Sequence, residues 1–217
     1  MSDPIRLPSF ALLCFLIAGC APPGGNGTDS GNAFQAALTV AGEGALITSA
    51  REVADLSSAQ LFLTEVEMEP CAGGGEDSET DYEGDFTTDL LLGTDLGTID
   101  LSIDSVCTLE VESEPASGPS IRIEGVSTGG QDFVIESSQQ WEFEVESDVA
   151  LQADTLNQLF LLFDLDVWLD GVDPDQGTPN AEGVIEIDSV YNSDILAVFE
   201  ANVATTGSVD SESGDDG

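Results

Sequence analysis

The chain has 217 residues, with 43 Asp plus Glu against three Arg, no Lys and no His, for a formal net charge of −40. Without imidazole or amine side chains, Ser-His-Asp and Cys-His nucleophile systems, histidine-bound zinc, lysine Schiff bases and the phosphate-binding lysine of nucleotide loops are excluded. Nucleic acid is excluded as a partner too, because its binding rests on cations that neutralise phosphates.

Met1 to Pro8 is a short polar start with Arg6 as its cation, and residues 10–18 (FALLCFLIA) form an apolar run of nine. A membrane-spanning helix needs about 20 apolar residues, so the run predicts a secretory signal. At its end, Ile17-Ala18-Gly19-Cys20 resembles the lipobox of bacterial lipoproteins. The resemblance implies a signal peptide over 1–19, cleavage before Cys20 and a diacylglyceryl group on the Cys20 thiol, so that a lipid anchor makes the membrane a partner. Ala21, standing where Asp retains enteric lipoproteins in the inner membrane, implies a cell envelope protein on the outer membrane, facing the periplasm or the cell surface.

Residues 20–33 predict a lipidated flexible tether, rich in Pro, Gly, Asn and Ser. Asp29-Ser30-Gly31 spells the short aspartic-protease signature there, where nothing would hold two carboxylates in register. Residues 34–204 form the predicted domain, and 205–217 an acidic disordered tail. Hydrophobic residues make up 41% of the chain, enough for a sizeable core despite the charge.

Within the domain the first clear alternation sets Val66 and Met68 against Glu65, Glu67 and Glu69. Cys71 follows. With Cys14 in the signal and Cys20 acylated, Cys71 and Cys107 remain to pair as a disulfide in an oxidising compartment, worth about 4 kcal/mol on the chain-entropy model. Two unrelated buried thiols are the alternative. Next comes Glu79-Thr80-Asp81-Tyr82-Glu83-Gly84-Asp85-Phe86, which has acids at positions 1, 3 and 5, Gly at 6 and an apolar residue at 8, as a calcium-binding EF-hand loop does. Glu79, Asp81, Glu83 and Asp85 are therefore candidate calcium ligands, although Leu90 stands where the bidentate acid belongs. A solvated acidic loop is the alternative.

Further alternations follow at Ile99–Ile103, Leu109–Val111, Ile121–Ile123, Trp141–Glu146 and Ile185–Ile187, each with polar, mostly acidic, residues on the opposite parity. Period two with one apolar face predicts strands packed on a core on one side and wet on the other. Gly125-Val126-Ser127-Thr128-Gly129 matches the G-x-S-x-G nucleophile elbow, but the elbow needs a following helix and a histidine base. Residues 131–136 read as another strand, so a hairpin turn is expected there. Trp141 shares its face with Phe143 and Val145 and is assigned to the core.

Leu159 to Phe163 (LFLLF), apolar on both parities, predicts a central strand. Trp168 shares the parity of Asp164, Asp166 and Asp170, which makes it a candidate sugar-stacking residue on the wet face. Asp170, Asp173 and Asp175 in a Gly/Pro-rich loop form a second candidate calcium cluster. Asp194 before Ile195–Phe199 predicts an N-cap on a short helix. The expected fold is all-β, an antiparallel two-sheet β-sandwich with a short C-terminal helix.

Glu69-Pro70-Cys71, Asp89-Leu90-Leu91, Cys107-Thr108-Leu109-Glu110-Val111 and Phe163-Asp164-Leu165 with Trp168 resemble uncharacterised bacterial lipoproteins that carry a prealbumin-like β-sandwich. That resemblance implies fold and location and carries over no catalytic residue. Three function classes follow. The first is a non-catalytic, lipid-anchored binding or structural sandwich with an unidentified protein or glycan partner. The second is a calcium-dependent adhesion or carbohydrate-binding module, calcium being the one cofactor the ligand inventory favours. The third is an acid-only hydrolase built on paired carboxylates. Acids concentrated on one strand parity also predict a surface adapted to saline surroundings.

Overall fold

In the computed structural model, residues 34–43, 53–71, 80–114 and 118–206 are described. The alternating segments become ten strands among them: β1 (Phe34–Glu43), β2 (Val53–Glu69), β3 (Thr80–Asp89), β4 (Thr94–Leu101), β5 (Ser105–Ser113), β6 (Ile121–Ser127), β7 (Asp132–Ser137), β8 (Trp141–Ala150), β9 (Leu156–Asp164) and β10 (Ile185–Ile187). Two helices follow the ninth strand, α1 (Leu165–Trp168) and α2 (Ser193–Val203), with β10 between them. A small sheet has the order β4-β1-β9, and a large one runs β10-β7-β6-β2-β5-β8 with β3 also on β2. This is the all-β sandwich with a short C-terminal helix that the pattern predicts.

The long strand β2 organises the large sheet. Gln60–Met68 pair with β3, Val53–Leu61 with β6 and Glu65–Glu69 with β5. A strand has two edges, so β5 and β6 lie end to end along the edge opposite β3. β8 and β7 return beside them in the same way, antiparallel to β5 and β6. The long hairpin is interrupted after Ser113 and Ser137. Three buried serines secure the interruption: Ser113 Oγ donates to the Phe62 carbonyl, Ser120 Oγ to the Ser137 carbonyl (3.0 Å) and Ser137 Oγ to Glu200 of α2 (2.8 Å).

Three local expectations are corrected. The sheets are mixed rather than wholly antiparallel, since β1 pairs with β9 and β7 with β10 in parallel. Parallel neighbours need long connections, and the many elements between β1 and β9 provide one. Among the described residues β9 is an edge strand of the small sheet, not a central one. Leu159, Leu161 and Phe163 are buried, while Phe160 and Leu162 are half-buried on the outer side. An apolar outer parity looks the same in sequence whether or not a neighbouring strand follows. Finally, α2 starts at Ser193 with Asn192 as its cap, at φ 51°, so Asp194 lies in the first turn rather than capping it. There its carboxylate still favours the positive end of the helix dipole. The Asn192 amide is held instead by the Thr178 and Glu186 backbone.

The core joins both sheets to the helices. Asp164 ends β9 by turning its Oδ1 to the N–H groups of Asp166 (2.9 Å) and Val167 (3.2 Å), which caps α1. That switch carries Trp168 inward. Its ring packs with Phe143 of β8 (6.0 Å between centroids), Phe163 of β9 (5.4 Å) and Phe199 of α2 (6.4 Å), clasping the two sheets together. Large aromatic surfaces of this kind dominate burial energetics.

Candidate functional site

The outer face of β3-β2-β5-β8 carries acidic side chains in rows. Strand register places Glu83, Glu65, Glu112 and Glu142 in one row, and Asp81, Glu67, Glu110 and Glu144 in the next. Glu69, Thr108 and Glu146 start a third. Neighbouring strands lie about 4.8 Å apart and alternate residues along a strand about 6.7 Å. The arrangement follows from the sequence: the acids of β2, β5 and β8 alternate with buried Val66, Met68, Leu109, Val111 or Phe143, and those of β3 flank the half-buried Tyr82. A register shift between Leu63 and Glu65 keeps Val66 and Met68 inward after Leu61 and Leu63.

Like charges opposite one another are unfavourable, and here they add to the effect of burial on two carboxyl groups. Partial burial raises the Glu65 pKa above 4.5, helped by Asp81, Glu83 and Glu114. Burial likewise raises Glu110, followed by the repulsion of Glu142, Glu112, Glu144 and Glu69. In each case ionisation costs the folded state free energy. Arg122, the cation among the described residues, lies elsewhere on β6, paired with Glu124 and Glu136. The acidic rows therefore form a continuous anionic surface that attracts cations over a distance.

The first calcium candidate is not a loop. Asp81, Glu83 and Asp85 sit on strand β3, exposed on its outer parity, and Glu79 lies outside the described residues. These acids lie along one extended strand, about 6.7 Å apart at the backbone, instead of being drawn together by a loop. Gly84 has another role: a Cβ there would collide with the Phe86 ring, which stacks on Tyr82 at 5.0 Å. Among the described residues, no three His, Cys, Asp or Glu side chains are grouped to hold a metal ion.

The second cluster is divided among local tasks. Asp170 is exposed; the Asp173 carboxylate accepts from Asp175 N (3.1 Å) and Gln176 Nε2 (2.8 Å) at a single 3₁₀ turn, Pro174–Gln176. Asp175 reaches the β6–β7 hairpin. Its carboxylate accepts from Ser127 Oγ, Thr128 Oγ1 (2.8 Å) and Gly129 N (2.7 Å). The hydroxyl bonds from Ser127 and then Thr128 lower its pKa, the Gly129 N–H adds to them, and slight desolvation opposes them. Thus the G-x-S-x-G segment is the expected hairpin, and Ser127 serves as a latch to Asp175. A Cβ at Gly129 would crowd the same carboxylate. No spacing rule in the sequence links residues so far apart.

Trp168 is fully buried, not on a wet face, and its Nε1 donates to Thr206 Oγ1 (2.9 Å). The parity argument assumed a strand, whereas the cap at Asp164 starts a helix in which positions 165 and 168 share a face. Trp141 is in the core as expected, its Nε1 without a hydrogen-bond partner. Among the described residues the exposed aromatic is instead Tyr191, with Val190 beside it, on a turn where Asp188 Oδ1 accepts from both their N–H groups at 2.7 Å. Sequence patterning passed over these two because the turn lies outside any periodic segment.

Cys71 and Cys107 form the predicted disulfide, with Cα atoms 4.5 Å apart, and tie the end of β2 to β5 where the acidic rows end. Cys20 and Asp29-Ser30-Gly31 lie outside the described residues. Among those described, no helix is long and apolar enough to cross a membrane.

No family model matches the chain, and neither a curated protein nor a solved structure matches it.

Proposed function

We propose that this chain is a lipid-anchored cell-envelope protein whose sandwich acts without catalysis, as a binding or structural module of the prealbumin-like lipoprotein kind. The observation that carries this proposal is Ile17-Ala18-Gly19-Cys20 at the end of a short apolar run. A sandwich stapled by a disulfide agrees with an exported chain. Labelled palmitate fed to a bacterium expressing the chain tests it. Label should enter the wild-type protein and disappear with Cys20→Ser; an unlabelled wild type overturns the anchor.

The acidic rows favour one second proposal, a calcium-dependent adhesion or carbohydrate-binding module, because closely spaced carboxylates attract divalent cations. Calcium should then raise the melting temperature more than sodium chloride does at matched ionic strength. Equal rises would reduce the effect to screening and remove that alternative.

A further inference from the structure

We propose that the outward edge of β9 is where two copies of this chain pair, antiparallel across a two-fold axis, so that their small sheets join into one continuous sheet. Among the described residues β9 pairs only with β1, which leaves one side of its backbone without a strand partner. Such an edge is a template for another strand unless it is short, bulged or charged.

Among the described residues, the other edge strands have that protection. β3 carries Asp81, Glu83, Asp85 and Asp89, and β8 carries Glu142, Glu144 and Glu146. β4 carries Asp95 and Asp100, and β10 is three residues long with Glu186 at its centre. β9 differs in kind. Its sequence LNQLFLLFD is uncharged from Leu156 to Phe163 and contains no proline, and its register with β1 runs without a shift. On its outer parity Leu156 is 47% exposed, and Phe160 and Leu162 are half-buried outside the core.

Charge selects the occupant. In a chain of net charge −40, a cationic partner would be drawn first to the acidic rows of the large sheet. A second copy would be repelled from those rows and from each acidic edge, and it brings the same uncharged strand. Two-fold symmetry requires that β9 meet its copy antiparallel. In the register centred on Phe160, residues 157–163 face only uncharged partners, and the strand's one acid, Asp164, stands opposite Leu156.

The same geometry makes the pairing salt-dependent. β8 lies across the core from β9, with the rings of Phe143 and Phe163 4.9 Å apart. Pairing therefore brings Glu142, Glu144 and Glu146 of both copies toward one another, within reach of repulsion at low salt.

The test is sedimentation of the full-length chain carrying Cys20→Ser, which keeps acyl groups out of the result and separates this proposal from the lipid anchor. In roughly 1 M sodium chloride the mass should be that of two chains, shifting toward one chain at low salt. Phe160→Asp with Leu162→Asp should give one chain under both conditions with an unchanged circular dichroism spectrum. If that variant fails to fold, amide exchange of the Cys20→Ser chain decides, because exchange within 156–164 should slow as concentration rises. Concentration-independent exchange there overturns the proposal. So does a single-chain mass at every salt and concentration, including one that becomes vesicle-bound, or a two-chain mass that survives the double substitution.

Discussion

On the outer face of the large sheet where β2, β5 and β8 lie side by side, the residues that alternate with the core are Glu65, Glu67, Glu110, Glu112, Glu142 and Glu144. On the outer face of the small sheet they are Gln35, Ala37, Thr39 and Ala41 of β1 and Gln158, Phe160 and Leu162 of β9, with Asp95 and Asp100 confined to the β4 side. Both faces obey the same period-two rule, and both turn aliphatic and aromatic side chains inward. What differs is the surroundings each outer parity suits. Rows of carboxylates suit water and counter-ions, whereas an uncharged strand edge suits another strand. A large net charge therefore leaves room for sharp local differences, and the depleted region is as informative as the dense one.

The comparison requires the two faces to belong to one folded unit, and Trp168 is the clasp between them. Trp168→Ala should cost about 3–5 kcal/mol, seen as a lower urea midpoint. A loss below about 1 kcal/mol would mean that the sheets are held together by other contacts. Next in size, replacing Cys71 and Cys107 by Ser should cost about 2–4 kcal/mol. The bridge spans 36 residues and holds β2 to β5, two of the strands whose acids repel, so the loss should be larger at low salt than at high.

Screening itself should act on the acidic face as a whole. Between low and roughly molar sodium chloride the melting temperature should climb by several degrees. A flat or falling curve would show that the acidic rows carry no net self-repulsion and would end the proposal of a salt-adapted surface.

A single row member gives a smaller and more specific effect. Glu110 binds its proton more tightly in the folded state, so its contribution to stability is full below the ordinary value of 4.5 and is lost as pH rises through the raised value. Glu110→Gln should therefore stabilise the protein at pH 7 by a few tenths of a kcal/mol, a small figure because the carboxylate remains largely solvated. In acid below 4.5 the difference should vanish, and paired melts at the two pH values would show it.

Asp175 supplies the opposite sign. Its pKa is lowered, so its contribution is present above 3.8 and is lost as pH falls through the lowered value. Asp175→Ala should speed amide exchange at Gly129 and around the β6–β7 turn at neutral pH. Unchanged exchange would show that the turn holds itself without the latch.

Where neighbouring residues decide the outcome, the structure was legible in the sequence. Trp141–Glu146, Ile121–Ile123 and Ile185–Ile187 announce strands because an alternating apolar face has only one way to reach a core. The hairpin at Thr128–Gly130 followed from two flanking strand patterns, and the Cys71–Cys107 bridge from the count of remaining thiols. The misread segments show why other parts were not legible. Acids at every second position with a glycine between them fit a cation-binding loop and a strand equally well, and at 79–86 the stack of Tyr82 on Phe86 accompanies the strand. Trp168 was assigned to the wrong side because one carboxylate, Asp164, ends the period of two and begins a period of 3.6.

The sequence by itself determined the composition of chemistry and the layered character of this protein. The absence of His and Lys removed whole classes of catalysis, and local alternation sorted most strand residues into inside and outside, because both depend only on residue type and its near neighbours. The tertiary structure alone decided which strands became neighbours. Register aligned the acids of β3, β2, β5 and β8 into rows, the distant Asp175 reached Ser127, and β9 took an edge of the small sheet with its outer side uncharged. Those outcomes depend on which distant segments share a sheet or a turn, a relation that local periodicity does not encode.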